Sequence, residues 1–488
     1  MATEGNLSAP TRHPIDWKNP QPQCFSKARP RVYKKRHRTM ATEGNLAAPT
    51  RHAIDWKNPD YYNEEATFHE MERIFDICHG CRRCVSLCGS FPTLFDLVDE
   101  SKTLEVDGID KKDYWKVVDQ CYMCDLCYMT KCPYVPPHEF NLDFPHTMLR
   151  AKAIKFKKGE VGAGERFLAS ADVHGQLAGI PIVVQLVNAV NKTKPARALM
   201  EKVLGVDKNA WLPELATKKF RSSALESPPH PVRDGVKTPG KVAIYATCYV
   251  NYNEPGIGHD LLKILQHNAI PYVLVDKEKC CGMPRLELGD LDSVNSSKEA
   301  NIRVLARYAK DGFAILSAVP SCTLMFKQEI PLMYPDDADV QLVKEHMWDP
   351  FEYLMARKRD GLLKTEFTTP LGKISYQIPC HGRVQNIGKK TEEMLKMVPG
   401  TSVHTHERCS GHAGTFGVKV PYHQQAMKIG KPLFKAMANH KDGGLPDVIS
   451  SDCPLGGHHI AQGFDVNKLG AAPQKHPLTL IRTAYGLE

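Results

Sequence analysis

Two stretches decide the fold of this chain: Cys78-His-Gly-Cys81-Arg-Arg-Cys84-Val-Ser-Leu-Cys88 and Cys121-Tyr-Met-Cys124-Asp-Leu-Cys127-Tyr-Met-Thr-Lys-Cys132. Together they hold eight of the sixteen cysteines. Each has three cysteines at three-residue spacing and a fourth further on, the ligand pattern of proteins that bind two [4Fe–4S] clusters, in which the fourth cysteine of each run serves the other cluster. We therefore expect one cluster on Cys78, Cys81, Cys84 and Cys132, and a second on Cys121, Cys124, Cys127 and Cys88.

A structural zinc site and a disulfide framework fit these cysteines less well. Zinc needs four ligands per site and usually takes two C-x-x-C pairs, so the third cysteine of each run would be idle. Disulfide frameworks are typical of small secreted domains, whereas a chain of 488 residues can bury a core without crosslinks. We also expect no secretory signal peptide, because no apolar core opens the sequence.

The overall composition is that of an ordinary globular chain, with 42% hydrophobic and 24% charged residues, and its length leaves room for about three domains. The net charge is +9, but residues 1–39 supply +7 of it, with nine basic and two acidic residues. The remainder lacks the basic patch on a folded domain that nucleic-acid binding requires. We therefore expect no nucleic-acid partner.

The N-terminus contains a near-verbatim duplication. Residues 1–20 recur, with two substitutions, as residues 40–59, and a basic insert of residues 21–39 separates the copies. A copy this short is not a packing unit and indicates a recent local duplication. We hypothesise that Met40 is a functional start, that residues 1–66 are disordered or extended, and that Cys24 belongs to no cluster; an Arg-rich targeting leader is the alternative.

The residues around the cysteine runs predict helices. Apolar residues at helical spacing in residues 63–78 predict a helix that leads to Cys78. The gap of about thirty residues between the runs can hold one or two helices, with Leu97, Val98 and Leu104 as core candidates. This length favours an α-helical ferredoxin-type domain over residues 67–150.

A cysteine-free region, residues 151–237, follows as a helical connector with a Pro-rich end. Its most apolar stretch, residues 175–190, is too short and too interrupted by Gln185 and Asn188 to span a bilayer. Basic residues flank the stretch on both sides, as in a helix that lies at a membrane surface. A helix packed in the protein core is the alternative interpretation.

The rest of the chain contains a β-α-β unit twice, over residues 238–340 and 373–488, with residues 341–372 as a connector. In the first copy the predicted strands end at cysteines, and the same order returns in the second. These cysteines are Cys248, Cys280, Cys281 and Cys322 in the first copy and Cys380, Cys409 and Cys453 in the second. Because ligands of open parallel sheets lie beyond the carboxyl ends of the strands, the thiols of each copy should converge.

The second copy has an incomplete set of thiols. Ser410 stands where the first copy has its second adjacent cysteine, Cys281. A fourth metal ligand would therefore have to be a histidine, with His381 and His412 as candidates and His458 and His459 nearby. Cysteines that are merely small buried hydrophobic residues are the alternative for both copies.

With these residues in view, the chain resembles the CCG-domain iron–sulfur oxidoreductases, a family that includes subunits of anaerobic glycerol-3-phosphate dehydrogenases and heterodisulfide reductases. The resemblance covers about residues 67–488 and rests on three features. These are the double cysteine run, Lys279-Cys-Cys-Gly-Met-Pro284, and Pro379-Cys-His381 with Cys409-Ser-Gly-His412. Two departures, Met325 and Gly456 in place of closing cysteines, imply one cluster in the first copy and an undefined metal or redox site in the second.

The resemblance implies an α+β multidomain protein, with a helical 2[4Fe–4S] domain before a duplicated α/β CCG domain. It implies an electron-transfer subunit that relays electrons from a flavoprotein dehydrogenase, or a rubrerythrin-type partner, to quinone or another acceptor. The alternative is a heterodisulfide reductase-like enzyme that reduces a disulfide or peroxide-derived substrate at its CCG cluster. We expect a cytoplasmic protein with peripheral membrane contact, and no bound flavin or nicotinamide, since no dinucleotide fingerprint is recognisable.

Overall fold

A computed structural model describes residues 50–177 and 181–488 of the chain. The strands in these residues are β1 (Val242–Ile244), β2 (Tyr272–Leu274), β3 (Ala314–Leu316), β4 (Met347–Trp348), β5 (Gly372–Gln377), β6 (Thr401–His406) and β7 (Val448–Ser451). The helices before β1 are α1 (Glu64–Cys81), α2 (Ser90–Asp99), α3 (Tyr114–Asp119), α4 (Phe144–Lys157), α5 (Ala163–Leu168), α6 (Ala171–Leu177), α7 (Pro181–Lys192), α8 (Lys194–Leu204) and α9 (Phe220–Ser223).

The helices from β1 onward alternate with the strands. Those of the first sheet region are α10 (Cys248–Tyr252), α11 (Pro255–His267), α12 (Met283–Leu288), α13 (Leu291–Lys310), α14 (Pro320–Leu324), α15 (Ile330–Met333), α16 (Ala338–His346) and α17 (Pro350–Arg359). Those of the second are α18 (Cys380–Arg383), α19 (Lys390–Leu395), α20 (His423–Met437), α21 (Pro454–Val466) and α22 (Pro477–Ala484).

Helix α1 carries the first cysteines, as the apolar spacing predicts. The side chain of Asn63 caps it by accepting a hydrogen bond from a first-turn N–H, which satisfies a donor that has no partner within the helix. Met71, Ile74 and Phe75 are fully buried on one face. The helix ends at Arg82, whose left-handed backbone turns the chain toward the next cysteines.

The segment between the two cysteine runs differs from the prediction at one core position. Helix α2 ends at Asp99, and a bend and two short 3-10 helices, Val106–Gly108 and Lys111–Asp113, lead to α3, so the α-helical spacing does not continue past residue 99. Leu104 is 62% exposed and was wrongly predicted to lie in the core, where Val106 and Ile109 are buried instead. Val98 is buried as predicted and Leu97 is partly buried.

Two parallel sheets confirm the predicted duplication. Their strand orders are β2-β1-β3-β4 and β6-β5-β7, so the first three strands of each sheet are arranged alike. The strand β1 is buried along its whole length, because parallel sheets are covered on both faces. The edge strand β4 was not predicted, since its two residues are too short to leave a sequence pattern.

Glycines that follow the second strand of each sheet explain the Cys-Cys-Gly and Cys-Ser-Gly sequences. Gly282 has a φ of +97° and Gly411 a φ of +84°, a left-handed conformation that favours glycine. A Cβ at Gly411 would also lie 2.0 Å from the carbonyl oxygen of Ala426. The two glycines therefore turn the chain in equivalent ways directly after the cysteines.

The apolar stretch 175–190 is only partly described, because residues 178–180 lie outside the described part of the chain. In α7, Val184 is fully buried, whereas Ile182 is 78% and Leu186 63% exposed. The core interpretation therefore holds for one face of this helix and not for the other. Among the described helices, we find none with the length and hydropathy needed to cross a membrane.

The part of the N-terminal segment that is described is packed against the cysteine-rich region. Residues 50–55 have no regular structure and a turn follows at residues 56–58, and Ile54 and Trp56 are buried. The backbone N–H of Ile54 donates to the carbonyl oxygen of Leu332 at 2.8 Å, and Trp56 packs edge-on against Tyr334. The predicted disorder of residues 1–49 concerns residues outside the described part.

Candidate iron–sulfur centres

The four cysteines predicted to bind the first cluster lie together. A single cavity of about 300 Å³ is lined by Cys78, Cys81, Cys84 and Cys132. Burial, with the nearby thiols of Cys132 and Cys81, raises the pKa of Cys84 to about 12. Phe91 and Leu142 line this cavity together with the charged residues Arg83 and Lys131, and all four cysteines are partly exposed.

The second predicted set is more deeply buried. Cys121, Cys124 and Cys127 are each no more than 8% exposed. Burial, followed by the nearby thiols of Cys124, Cys121 and Cys88, raises the pKa of Cys127 well above its usual value. The backbone reaches this spacing through left-handed conformations at Met123 and Asp125. The structure thus brings the cysteines of this run close together, and their assignment to one cluster stays a prediction.

A buried ion network holds the loop that carries this second set. Arg51 donates to Asp125 at 2.6 Å and to Asp143 at 2.9 Å, and lies 3.6 Å from Glu329. The guanidinium also lies over the ring of Tyr128, 4.5 Å from its centroid. The Arg51 charge holds the pKa of Asp143 well below its usual range despite burial. Sequence patterns gave no signal of this network, because its members are far apart in the chain.

The chemistry of both sets fits iron–sulfur binding. Buried thiols that repel one another as anions become stable thiolates only beside a cation, and iron clusters take thiolate ligands. In residues 50–177 and 181–488, no group of three or more His, Cys, Asp or Glu side chains converges as closely as a single metal ion requires. A four-iron cluster is wider than a single ion, so its thiolates stand further apart.

The strand-end cysteines of the first sheet converge as predicted. The thiols of Cys248 and Cys281 hydrogen-bond to the Cys280 sulfur and hold its pKa well below the usual value. Cys322 in turn hydrogen-bonds with Cys281. The backbone N–H of Cys280 donates to the carboxylate of Asp172 at 3.0 Å. Four thiols therefore meet at the carboxyl end of the sheet.

The second sheet brings together three thiols and one hydroxyl. The pKa of Cys380 is raised by burial and by the nearby thiols of Cys409 and Cys453. Ser410 Oγ and Cys453 Sγ both lie beside Gly456, at 3.6 and 3.5 Å from the position that a Cβ there would take. Ser410 thus lies where the first sheet has its fourth thiol, and a histidine as the fourth ligand of this set stays a prediction.

The four histidines considered as metal ligands differ in their contacts. Both ring nitrogens of His381 have partners, the hydroxyl of Ser321 at 2.8 Å and the carbonyl oxygen of Met123 at 3.3 Å. His458 hydrogen-bonds with Glu254 and stacks on Trp211. His412 and His459 are buried with their rings 5.9 Å apart, and within the described part of the chain no partner is found for Nε2 of either.

The second sheet is in direct contact with the second cysteine run. The hydroxyl of Tyr122 lies 3.4 Å from the sulfur of Cys409. The pKa of Cys124 is raised by burial and next by the thiols of Cys380 and Cys409. The first copy also contacts this run, since the side chain of Gln328 donates to Asp125 at 3.3 Å, and the sequence gave no sign of either contact.

Comparison with known proteins identifies the type of domain that each parallel sheet belongs to. Residues 242–327 and 374–461 match the model of the cysteine-rich domain family called CCG. The first match contains strands β1, β2 and β3 and the second contains β6, β7 and most of β5, and together they contain all seven strand-end cysteines. The chain therefore carries two CCG cysteine-rich domains, as the sequence resemblance implied. The runs at residues 78–132 lie outside both matches, so the ferredoxin-type domain stays a prediction.

The chain is also similar to several individual proteins. The chain is similar to a subunit of the anaerobic glycerol-3-phosphate dehydrogenase of Escherichia coli (strain K12), with 26% identity over 303 residues, 61% of this chain and 72% of that protein. A subunit of the fumarate reductase (CoM/CoB) of Methanothermobacter marburgensis is 27% identical over 255 residues, 51% of this chain and 47% of that protein. An uncharacterized iron–sulfur protein of Methanocaldococcus jannaschii is 25% identical over 223 residues, 45% of this chain and 41% of that protein. These similarities support iron–sulfur binding by this chain.

Proposed function

We propose that this chain is the electron-transfer subunit of an oxidoreductase, which receives electrons from a partner flavoprotein dehydrogenase and passes them through two [4Fe–4S] clusters to quinone or another acceptor. Two of its relatives are named as subunits of a dehydrogenase and of a reductase. A rubrerythrin-type protein is an alternative partner. The proposal places the subunit in the cytoplasm.

One observation carries the proposal: the cysteine groups form a continuous series. The first predicted set adjoins the second along the chain, since Cys88 of the second set follows Cys84 of the first within one turn, in which the N–H of Leu87 donates to the carbonyl oxygen of Cys84 at 2.9 Å. The second set adjoins the second CCG domain where the Tyr122 hydroxyl lies 3.4 Å from the sulfur of Cys409. Cys453 of that domain in turn lies near Tyr249 of α10, the helix that begins at Cys248. Iron–sulfur clusters held at these places would supply one-electron transfer.

The residues around the series would set the direction of electron flow. Hydrogen bonds to the cysteine sulfurs and exclusion of water shift cluster potentials. Cys409 Sγ accepts from the N–H of Gly411 at 3.3 Å and contacts Tyr122, while Cys453 Sγ accepts from the N–H of Gly456 at 3.3 Å. We propose that this polar surrounding raises the potential of the undefined metal or redox site that the second CCG domain would hold in addition to the two cubanes.

Anaerobic purification followed by iron and sulfide analysis tests the proposal. About eight irons per chain are expected from the two predicted cubanes and about twelve if the first CCG domain also holds a cluster. Electron paramagnetic resonance during reductive titration should show interacting one-electron centres. A Cys124→Ser variant should lose about four irons. The matched control is Cys24→Ser, because Cys24 belongs to none of the sets, and its iron content should equal that of the parent.

Two outcomes would contradict the proposal. Absence of iron from anaerobically prepared protein would refute cluster binding altogether. Reduction of a disulfide or a peroxide-derived substrate by the chain alone, without a flavoprotein, would instead support catalysis at the CCG cluster.

We also propose peripheral contact with a membrane through α7 and α8. Ile182 and Leu186 on α7 and Leu199 and Val203 on α8 are all more than 60% exposed. Paired helices with exposed apolar residues and flanking lysines are typical of interfacial binding. Co-sedimentation with anionic vesicles should therefore weaken when Ile182 and Leu186 are both changed to Ser, and unchanged binding would contradict this contact.

A further inference from the structure

One imidazole ring lies where three of the cysteine sets meet. His381 belongs to the second CCG domain, directly after the first cysteine of that domain, and is 6% exposed. Its Nε2 lies 3.3 Å from the carbonyl oxygen of Met123, the residue before Cys124. Its Nδ1 lies 2.8 Å from the hydroxyl of Ser321, the residue before Cys322. The ring therefore contacts a direct chain neighbour of one cysteine in each of the two other sets.

The two partners of this ring determine where its proton lies. A carbonyl oxygen can only accept a hydrogen bond, so Nε2 of His381 donates to Met123. The other nitrogen of a neutral imidazole is an acceptor, so Nδ1 accepts from the hydroxyl of Ser321. Hydrogen bonds that follow one another in this way polarise and strengthen each other. A directed chain of two hydrogen bonds thus leads from the first CCG domain to the second cysteine run.

Backbone contacts on both sides hold this chain of hydrogen bonds in place. Met123 has a left-handed backbone with a φ of +55°, a conformation that a residue other than glycine keeps only where its surroundings fix it. The side chain of Gln385 donates to the carbonyl oxygens of His381 and Pro320, at 2.9 and 3.3 Å. Gln385 therefore ties the segment of His381 to α14, the helix that begins at Pro320.

The contact provides a connection that the series of cysteine groups lacks. In that series the first CCG domain comes last, after the second CCG domain and the approach of Cys453 to Tyr249. His381 instead connects the second cysteine run to the first CCG domain directly. Because electron tunnelling weakens steeply across gaps between atoms, a path that hydrogen bonds keep short is favoured over a longer one.

We propose that His381 is a positioning residue for direct electron transfer from the second cysteine run to the first CCG domain. The inference rests on the proposed electron-transfer function and deepens it by naming a route within the chain. One electron leaves iron held by the set of Cys124, which is thereby oxidised, and reduces iron held by the set of Cys322. The ring keeps its Nε2 proton, so the step takes up no proton and releases none.

Two variants test this route in anaerobically prepared, iron-loaded protein. His381→Phe keeps a planar ring but removes both hydrogen bonds, whereas Ser321→Ala removes only the bond to the first CCG domain. After rapid mixing with a limiting amount of dithionite and freezing, electron paramagnetic resonance follows the arrival of the electron in the first CCG domain, through the signal that Cys322→Ser lacks. Both variants should slow this arrival about ten- to hundredfold, the range typical when a residue behind the metal ligands is replaced. Their iron content should equal that of the parent.

The matched control is His423→Phe. His423 is a buried histidine of the same domain that bonds the carbonyl oxygen of Gly417 at 2.8 Å, and Gly417 flanks no cysteine, so this variant should transfer electrons at the parent rate. Equal slowing in the control, an unchanged rate in either test variant, or slowing that a redox titration attributes entirely to changed potentials would overturn the inference.

Iron analysis separates this inference from the proposed function. Loss of iron from His381→Phe but not from Ser321→Ala would make His381 a metal ligand and overturn the positioning role. A parent protein with only about eight irons would also overturn it, because Cys322 would then hold no electron acceptor. Absence of iron altogether would instead overturn the proposed function.

Discussion

Replacement of Arg51 by methionine should destabilise the protein strongly. The variant keeps most of the side-chain volume but removes the cation that bonds Asp125 and Asp143 and lies 3.6 Å from Glu329. The buried carboxylates of Asp125 and Glu329 and the partly buried one of Asp143 would remain, with the ring of His146 and the neutral amide of Gln328 beside them. Removing one partner of a buried ion pair typically costs about 3–5 kcal/mol, and we expect the loss of unfolding free energy to fall in this range.

Anaerobic urea titration of the iron-loaded protein measures the effect, from the shift of the unfolding midpoint and the slope of the transition. Arg73→Met is the control, because Arg73 makes a 2.6 Å ion pair with Glu70 in which both side chains are more than a third exposed. Such exposed pairs contribute about 0–1 kcal/mol. A loss below about 1 kcal/mol for Arg51→Met, or equal losses in both variants, would refute the role given to this network.

Three further predictions concern Gly411 and Ser410 in the second CCG domain and the buried carboxyl group of Glu287. Gly411→Ala should prevent accumulation of folded protein, because its Cβ would lie 2.0 Å from a carbonyl oxygen. The control Gly443→Ala, at a glycine that is also left-handed but in open space, should lose only about 1–2 kcal/mol of unfolding free energy. Chemical denaturation compares the two variants. Ser410→Cys should raise the iron content above that of the parent by completing a four-thiol set, and unchanged iron would contradict the equivalence of Ser410 with Cys281. Because the folded pKa of Glu287 lies above its unfolded value, the protein binds more protons when folded, so its stability should fall as the pH rises from about 4.5 to about 7. The urea midpoint of the Glu287→Gln variant should lack this fall between pH 4.5 and 7. A pH profile of the midpoint identical to that of the parent protein would refute the role given to Glu287.

The sequence predicted those parts of the fold that depend on local patterns. The repeat of short apolar strands predicted both parallel sheets, and the cysteine spacing in residues 78–132 predicted two sets of thiols whose assignment to clusters stays a prediction. Cysteines at strand ends were predicted to converge, and they do so in each sheet. Each of these inferences needs only the geometry of one helix, one loop or one parallel sheet.

The remaining features depend on contacts between distant parts of the chain. The pairing of Arg51 with Asp125 and the approach of Tyr122 to Cys409 join residues that no periodicity connects. Leu104 was misplaced because helical spacing was extended beyond the end of α2. His381 was considered as a metal ligand, but both of its nitrogens serve the contact between domains, a role that only the packed structure reveals.

The burial of Cys121, Cys124 and Cys127 beneath the second CCG domain has a consequence for biogenesis. A four-iron group delivered by an assembly scaffold needs direct access to the receiving thiols. In the folded chain, Tyr122 and Met123 of the same loop contact Cys409 and His381, which are synthesised almost three hundred residues later. If this loop holds a cluster, maturation must therefore precede closure of the C-terminal domain, and a chain that folds before iron arrives would be trapped without it.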